Sequence, residues 1–411
     1  MKRERVLLLM EGRCSAATRV GQAQTVALRK GGLALCLVIC ALGLSMTAHA
    51  QTITLFNVQG AGTGAGQGTF GLPINSAGLI AGVFTDANNV YHGFLRYRDG
   101  GIVTFDAPGV GGGPGAPGCG LIYSCPGTVP YSINTQNDIT GYYTDDNNAY
   151  HGFLRYHDGS IVTLDVPGAG TGSGQGTQPE NINSNGAIAG EYSDSNGVWH
   201  GFLGNPDGTI VTFDAPGAGT GNGLGTYVSS TDGLTSAGAL AGYYADSSGV
   251  NHGYLRAADG DITEFDAFGA GTGSGQGTYI GGIDPPDTIL GLFLDSNNVW
   301  HGLLRTVDGT ITEFDVEGAG NSSGQGTRPA NINSSGAIAG GYIDANNVSH
   351  GFARAADGAI TKFDVRGAGT GAGQGTFPYC NNPAGAITGW EIDKNNVFHG
   401  FLRTGTDARE K

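Results

Sequence analysis

The chain has 411 residues with 77 glycines, and its 20 lysines and arginines against 35 aspartates and glutamates leave a formal net charge of −15. Seven of the basic residues but only two of the acidic ones fall in the first fifty, so the remainder carries 13 basic and 33 acidic residues, a balance of −20. Nucleic-acid binding needs a basic footprint, so this balance counts against that class, and it also repels anionic lipid.

Residues 1–50 read as a signal peptide rather than as part of the fold. Arg29 and Lys30 precede an apolar run from Leu33 to Met46, and Ala48-His49-Ala50 supplies a small-residue cleavage signature before Gln51. The run is shorter than the ~20 residues that span a bilayer, and no later segment resembles a membrane span. A secreted or periplasmic protein is expected. Of the cysteines beyond residue 50, Cys119 and Cys125 lie close together in a Gly/Pro-rich stretch, where an oxidising compartment favours a disulfide between them. Cys380 is left over and reads as a small buried residue.

From Thr69 the chain becomes a succession of short runs rich in Val, Ile, Phe, Tyr and Thr. The runs are Thr69–Asn75, Gly78–Asp86, Val90–Tyr97 and Ile102–Asp106. Turn residues separate them, such as Asp86-Ala-Asn-Asn89 and Asp99-Gly100, and no segment shows a sustained helical period. The second run is apolar on both faces and needs neighbours on both sides, whereas the fourth is polar at its middle position and suits an outer edge.

This four-strand pattern recurs. His-Gly followed by an apolar pair marks each copy, at His92, His151, His200, His252, His301, His350 and His399, with gaps of 59, 49, 52, 49, 49 and 49 residues. Such a period means stacked copies of one supersecondary unit. Seven His-Gly marks are followed by only six fourth strands, and the missing one stands at the front, as Ile53-Thr-Leu-Phe-Asn57. This offset predicts an all-β fold over residues 51–411. It is a seven-bladed β-propeller of four-stranded antiparallel blades, closed by the N-terminal strand pairing with the last blade.

Gly-rich connections such as Gly60–Thr69 join the copies. The period slips between Asp106 and Thr128, where the cysteine insertion lies, and by three residues around Ser229–Leu234. Insertions of this kind are where a repeat array acquires function.

The unit Gly-x-[Tyr/Phe]…His-Gly-Phe-Leu-Arg…Asp-Gly-x-Ile-x-x-Phe-Asp resembles the bacterial extracellular HAF repeats, with His-Gly-Phe in place of His-Ala-Phe, over residues 52–403. The resemblance implies an exported repeat protein and carries no activity, ligand or functional residue with it.

The candidate sites divide into repeated and unique features. Seven histidines, one per copy, are what a scaffold requires, with each hydrogen-bonded within or between copies. The arginines at 96, 155, 256, 305, 354 and 403 follow the same logic and are expected to pair with acids such as Asp106 or Asp165; Gly204 replaces the seventh. The Asp/Asn turns read as Asx turns, with calcium bound between copies as the minority alternative, because the Gly and Glu of a calcium loop are missing. No other cofactor or metal is expected. Gly320-x-Ser322-x-Gly324 fits a hydrolase elbow in letters but lies in a linker. Five of the residues preceding His-Gly are aromatic: Tyr91, Tyr150, Trp199, Trp300 and Phe398. Exposed beside Asn89, Asn148 and Asn298 they would stack on sugar rings; otherwise they pack between blades. No carboxylate pair unique to one copy is evident. The leading expectation is therefore a monomeric, non-catalytic module that binds a cell-surface glycan or protein. The alternatives are a carbohydrate-active hydrolase or lyase and a structural or adhesive envelope component.

Overall fold

The computed structural model describes residues 51–122, 125–229, 231–284 and 287–405. The predicted signal peptide lies outside them. The described chain holds 28 strands and one short 3-10 turn, Cys119–Ile122. No helix among the described residues is long and apolar enough to cross a membrane.

The strands pair as antiparallel meanders of four. In unit 1, Gly68–Ile74, Ile80–Thr85, Tyr91–Arg96 and Ile102–Phe105 pair in order. The same order repeats along the chain up to the strand Ile360–Phe363. The last three strands, Gly375–Asn381, Ile387–Ile392 and Phe398–Thr404, take their fourth partner from the other end of the chain. Thr52–Phe56 pairs antiparallel with Phe398–Thr404, Thr52 opposite Thr404 and Phe56 opposite Gly400. Within a unit the second strand is mostly buried, and entirely so in Ile80–Thr85, whereas the fourth, as in Ile102–Phe105, is open at its two middle residues. The alternation of apolar strand and polar edge in the sequence thus maps onto depth.

Neighbouring units meet at a repeated joint. The N–H of the residue before each His donates to the carbonyl two residues before the next unit's Thr: Tyr91 to Pro126, Tyr150 to Gln175, Trp199 to Leu224, and so on to Phe398 with Gln67. The intervening glycine, Gly176 for example, has φ +123, and a Cβ on it would collide with the Tyr150 carbonyl oxygen. Only glycine satisfies both conditions. The Thr that follows is fully buried, and its hydroxyl accepts the backbone N–H of the entering link, as Thr177 does from Val166 at 2.9 Å. The Gly-Thr pair at the end of each connection is therefore a joint.

The His-Gly-Phe signature has an equally local cause. The Phe94, Phe153, Phe202, Phe352 and Phe401 side chains are fully buried. Burial of such a ring contributes roughly 2–3 kcal/mol each. A Cβ on Gly93 would stand 2.7 Å from the Phe105 ring, so the glycine gives the fourth-strand ring its seat. The cores lie between consecutive units: Ala81 and Leu95 of unit 1 pack with Ile139 and Phe153 of unit 2. Phe56, from the N-terminal strand, packs with Ile80 and Phe94 of unit 1.

Candidate functional site

The repeated side chains are engaged in the scaffold. His92 donates from Nδ1 to the Asp106 carboxylate at 2.9 Å, stacks on Phe84 with centroids 5.0 Å apart, and turns Nε2 toward Asp86 at 3.7 Å. Five further copies repeat the Asp contact; His399 uses Asn57 instead, at 3.0 Å. Asp106 also raises the His92 pKa above its usual value, partly offset by burial.

The arginines correct the sequence expectation. The carboxylates of the Asp106 and Asp165 series hold the histidines instead. Each guanidinium lies over a phenylalanine of the preceding unit's outer strand: Arg96 over Phe56 at 5.0 Å, Arg155 over Phe105 at 4.9 Å and Arg403 over Phe363 at 4.8 Å. A ring face attracts a guanidinium while burying its stem, which an aspartate at an exposed strand end cannot do.

The Asp/Asn turns are Asx turns. Asp86 Oδ1 accepts the N–H groups of Asn88 and Val90, at 2.8 and 2.9 Å, and Asp145 repeats this with Asn147 and Ala149. Asn89, Asn148 and Asn298 occupy the left-handed turn position, with φ of 62, 58 and 60°. Asn89 and Asn298 accept from Gln67 and Gln276 of the connections at 2.9 and 3.0 Å, so the connections and these turns lie together. Among the described residues, no group of three His, Cys, Asp or Glu is placed to hold a metal ion.

Of the five aromatic candidates, Phe398 and Tyr91 are buried against Phe70, with ring centroids at 4.3 and 6.2 Å. Tyr150, Trp199 and Trp300 are half-buried and rest on Tyr142, Tyr227 and Tyr279 of the inner strands. Cys119 and Cys125 form a disulfide with Cα atoms 5.0 Å apart and pack with Phe70, Tyr91 and Val129. The cysteine insertion touches the first Asx turn, where Gly115 N–H donates to Asn88 O at 3.1 Å. Cys380 is buried and free.

The inner strands of all seven units line one cavity of about 610 Å³. Aromatic residues of four units, among them Tyr131, Tyr142, Tyr243, Phe377 and Trp390, stand in its wall, and further rings pack behind them. Tyr131 stacks on Tyr142 at 5.6 Å, Tyr227 on Tyr243 at 5.0 Å and Phe377 on Trp390 at 5.9 Å. Tyr279 links Tyr243 to Trp300, over which Arg328 lies at 5.0 Å. The second insertion reaches across this region. Thr231 donates to Ala330 O at 2.7 Å, Asn331 Nδ2 donates to Asp232 at 2.9 Å, and Asn181 Nδ2 donates to Ser229 O at 2.6 Å. Residues near Ser229–Leu234 thus span from unit 3 to unit 6, beside the lining residue Ala330.

Two carboxylates stand in this wall, both in unit 3. Glu180 and Glu191 are 4% and 8% exposed and sit on adjacent strands, where Gln178 is opposite Glu191 and the register slips between Pro179 and Asn181. Glu191 accepts the Val228 N–H at 3.1 Å, while Glu180 Oε2 is buried with no hydrogen-bond partner. Burial pushes the Glu191 carboxyl up to about 8, and burial together with the neighbouring Glu191 charge raises Glu180 well above its usual range. Burial, and then the charge of Glu180 among other neighbours, raises the hydroxyls of Tyr131, Tyr243 and Tyr379.

This pair overturns the expectation that no carboxylate pair is unique to one copy. Five of the other units carry Leu72, Tyr131, Gly281, Ala330 and Tyr379 where unit 3 has Glu180, unit 4 entering its insertion there at Ser229, and all six carry Val83, Tyr142, Tyr243, Leu292, Gly341 and Trp390 where it has Glu191. A position-by-position comparison of the copies was the signal that could have found them.

No known family model matches the chain, and no curated protein sequence is similar to it. Solved structures do resemble it. The BP39L lectin from Burkholderia pseudomallei superposes with a TM-score of 0.53 at 9% identity, over 82% of this chain and 96% of that one. A lectin from Aleuria aurantia gives 0.40 at 14% identity, over 87% of this chain and 100% of that one. A puromycin hydrolase gives 0.45 at 12% identity over 80% of this chain, which spans about half (53%) of that enzyme's length. The first of these establishes a shared all-β propeller fold of repeated strands.

Proposed function

We propose that this chain is an exported, secreted or periplasmic, monomeric propeller of the HAF-repeat type with seven blades, closed by its N-terminal strand, and that it works as a non-catalytic glycan-binding module. The joint from Phe398 to Gln67 and the pairing of Thr52–Phe56 with Phe398–Thr404 support the closed ring. The His-Gly-Phe period supports the repeat type. The reading takes its ligand class from the lectin of shared fold and its location from the cavity.

The observation that carries the binding reading is the aromatic wall. Ring faces cover the C–H face of a sugar, and a few convergent polar groups, here Glu180, Glu191 and Arg328, engage its hydroxyls. Tyr91 belongs to this wall, and Trp300 extends it through Tyr279. A glycan array probed with the wild-type protein and with Tyr142→Ala and Trp390→Ala tests it. Saturable binding that falls at least tenfold in both variants is expected; no glycan retained on the array overturns it.

One observation favours a hydrolase or lyase as the second reading: a carboxylate pair present in a single unit, as acid–base chemistry at a glycosidic bond requires. New reducing or unsaturated ends appearing in array-positive glycans, and lost in Glu180→Gln, would establish it in place of the first.

A further inference from the structure

We infer that the cavity accepts a ring bearing a protonated amine, with the ammonium set between Glu180 and Glu191 and the ring against the aromatic wall. On the glycan reading above, on which this rests, that means an amino sugar whose amine is free rather than acetylated.

Three observations converge on it. First, among the described residues the two acids are the only carboxylates that line the cavity, and aromatic rings from units 1, 2, 4 and 7 line it with them. A wall of ring faces with carboxylates set into it is the environment that recognises an ammonium, through cation–π attraction and charge pairing together. Second, Glu180 is more than nine-tenths buried and its Oε2 accepts no hydrogen bond, while Tyr379, from the opposite end of the chain, lines the same cavity with its hydroxyl unpartnered. Buried polar atoms in native proteins are nearly always satisfied, so orphaned atoms facing a cavity point to a missing partner. Third, the scaffold does not need these acids. The equivalent places in the other units hold apolar, aromatic or small residues, and the same joints and strand pairings form around them. Burying two adjacent carboxyls without a counter-charge opposes their ionisation, which is the direction in which both are displaced. A guest cation set between the two acids supplies a counter-charge on the unit 3 side of the wall, away from Arg328. Arg328 is held over Trp300 in unit 6.

Because the whole surface is acidic, a cationic oligomer would also be attracted non-specifically, and the test has to separate the two effects. Isothermal titration would compare a glucosamine tetramer, its fully N-acetylated form and a neutral glucose tetramer, at neutral and mildly alkaline pH, where the two acids begin to ionise and part of the amine remains protonated. The proteins would be the wild type, Glu180→Gln/Glu191→Gln and the exposed-charge control Asp261→Asn/Glu317→Gln, each verified by its melting curve. The expected result is at least a tenfold preference for the free-amine tetramer. The preference should disappear in the cavity variant and persist in the control, which removes the same charge from the surface. Equal or tighter binding of the acetylated tetramer, retention of the preference in the cavity variant, or cleavage of the tetramer would each overturn the inference while leaving sugar binding intact. Failure of all three tetramers, together with an empty glycan array, would instead remove the glycan reading itself.

Discussion

Arg155 of unit 2 lies over the ring of Phe105 in unit 1, and the one unit without the arginine follows the one unit without the ring. Gly204 stands at the arginine's place in unit 3, and Leu164 stands at the phenylalanine's place in unit 2. The two positions face each other across the boundary between units, so they change together.

This coupling predicts a double-mutant result. Arg155→Ala should destabilise by about 1–2 kcal/mol, from the lost ring contact and the lost stem packing. Gly204→Arg alone should gain nothing, because Leu164 offers no ring face. Leu164→Phe with Gly204→Arg should recover a coupling of about 0.5–1 kcal/mol beyond the sum of the single changes. Urea denaturation of the wild type, Arg155→Ala, both single variants at 164 and 204 and the double variant measures this directly, and strict additivity would show that the arginines serve only as surface charge.

The repeat makes the architecture unusually legible. Period, strand content and the displaced fourth strand at Ile53–Asn57 follow from counting, because each copy has to satisfy the same joint and the same core. The arginine partners were not legible in that way. Asp106 and Phe105 are adjacent in sequence, and only the inward or outward direction of each side chain decides which one meets the guanidinium of the next unit. The cavity was hidden for the opposite reason. Its wall is built from the one face of the inner strands that the repeat leaves free to vary, so averaging over the copies discards Glu180, Glu191 and Arg328. The slip near Ser229–Leu234 was visible in the spacing. That it runs to Ala330 and Asn331, two units on, depends on tertiary contacts that bring units 4 and 6 within reach.

The joint glycines give a second prediction. At Gly176 the backbone has φ +123 and a Cβ would meet the Tyr150 carbonyl, whereas Gly112 has open space around it. Gly176→Ala is expected to cost 3 kcal/mol or more, about 1–2 from the disfavoured backbone region and the rest from parting two units. Gly112→Ala should change stability by less than about 0.5 kcal/mol. Melting temperatures of the two variants separate a required joint from a flexible linker.

A third prediction concerns pH. Burial, with Asp393 adding to it, holds the Glu391 carboxyl up at about 7, and Glu191 is held up at about 8, both above an ordinary value of 4.5. A group whose folded pKa is raised contributes stability that is present below its unfolded value and is lost as pH rises through the folded one. Stability should therefore fall between about pH 4.5 and 8. The Asp106 contact acts in the same sense on His92, from 6.5 upward. The Asx-turn acids act in the opposite sense at the acid end. Although partial burial pulls the other way, the N–H groups of Ala149 and Asn147 hold Asp145 below 3.8, so its contribution is lost as pH falls further. The melting temperature should peak on the acid side of neutrality. In Glu180→Gln/Glu191→Gln the decline toward pH 8 should shrink by about 3 °C or more; an unchanged decline would mean that the pair ionises freely in the folded protein.

The last prediction tests the join between the chain's two ends. Phe56 is nearly buried, lies under Arg96 at 5.0 Å and meets the Phe94 ring edge-on at 6.0 Å, while its neighbour Leu55 is 42% exposed on the same strand. If that strand holds the ring shut, Phe56 links the last unit to the first as Phe105 links the first to the second. Phe56→Ala should then cost about 3 kcal/mol, the amount typical of a core ring, and Leu55→Ala less than about 0.5 kcal/mol. Phe105→Ala, at an internal boundary, should match Phe56→Ala within about 1 kcal/mol. Denaturation midpoints of the three variants decide the matter. A cost at Phe56 no larger than that at Leu55 would mean that the N-terminal strand adds nothing to the fold and that the seventh unit stands with three strands.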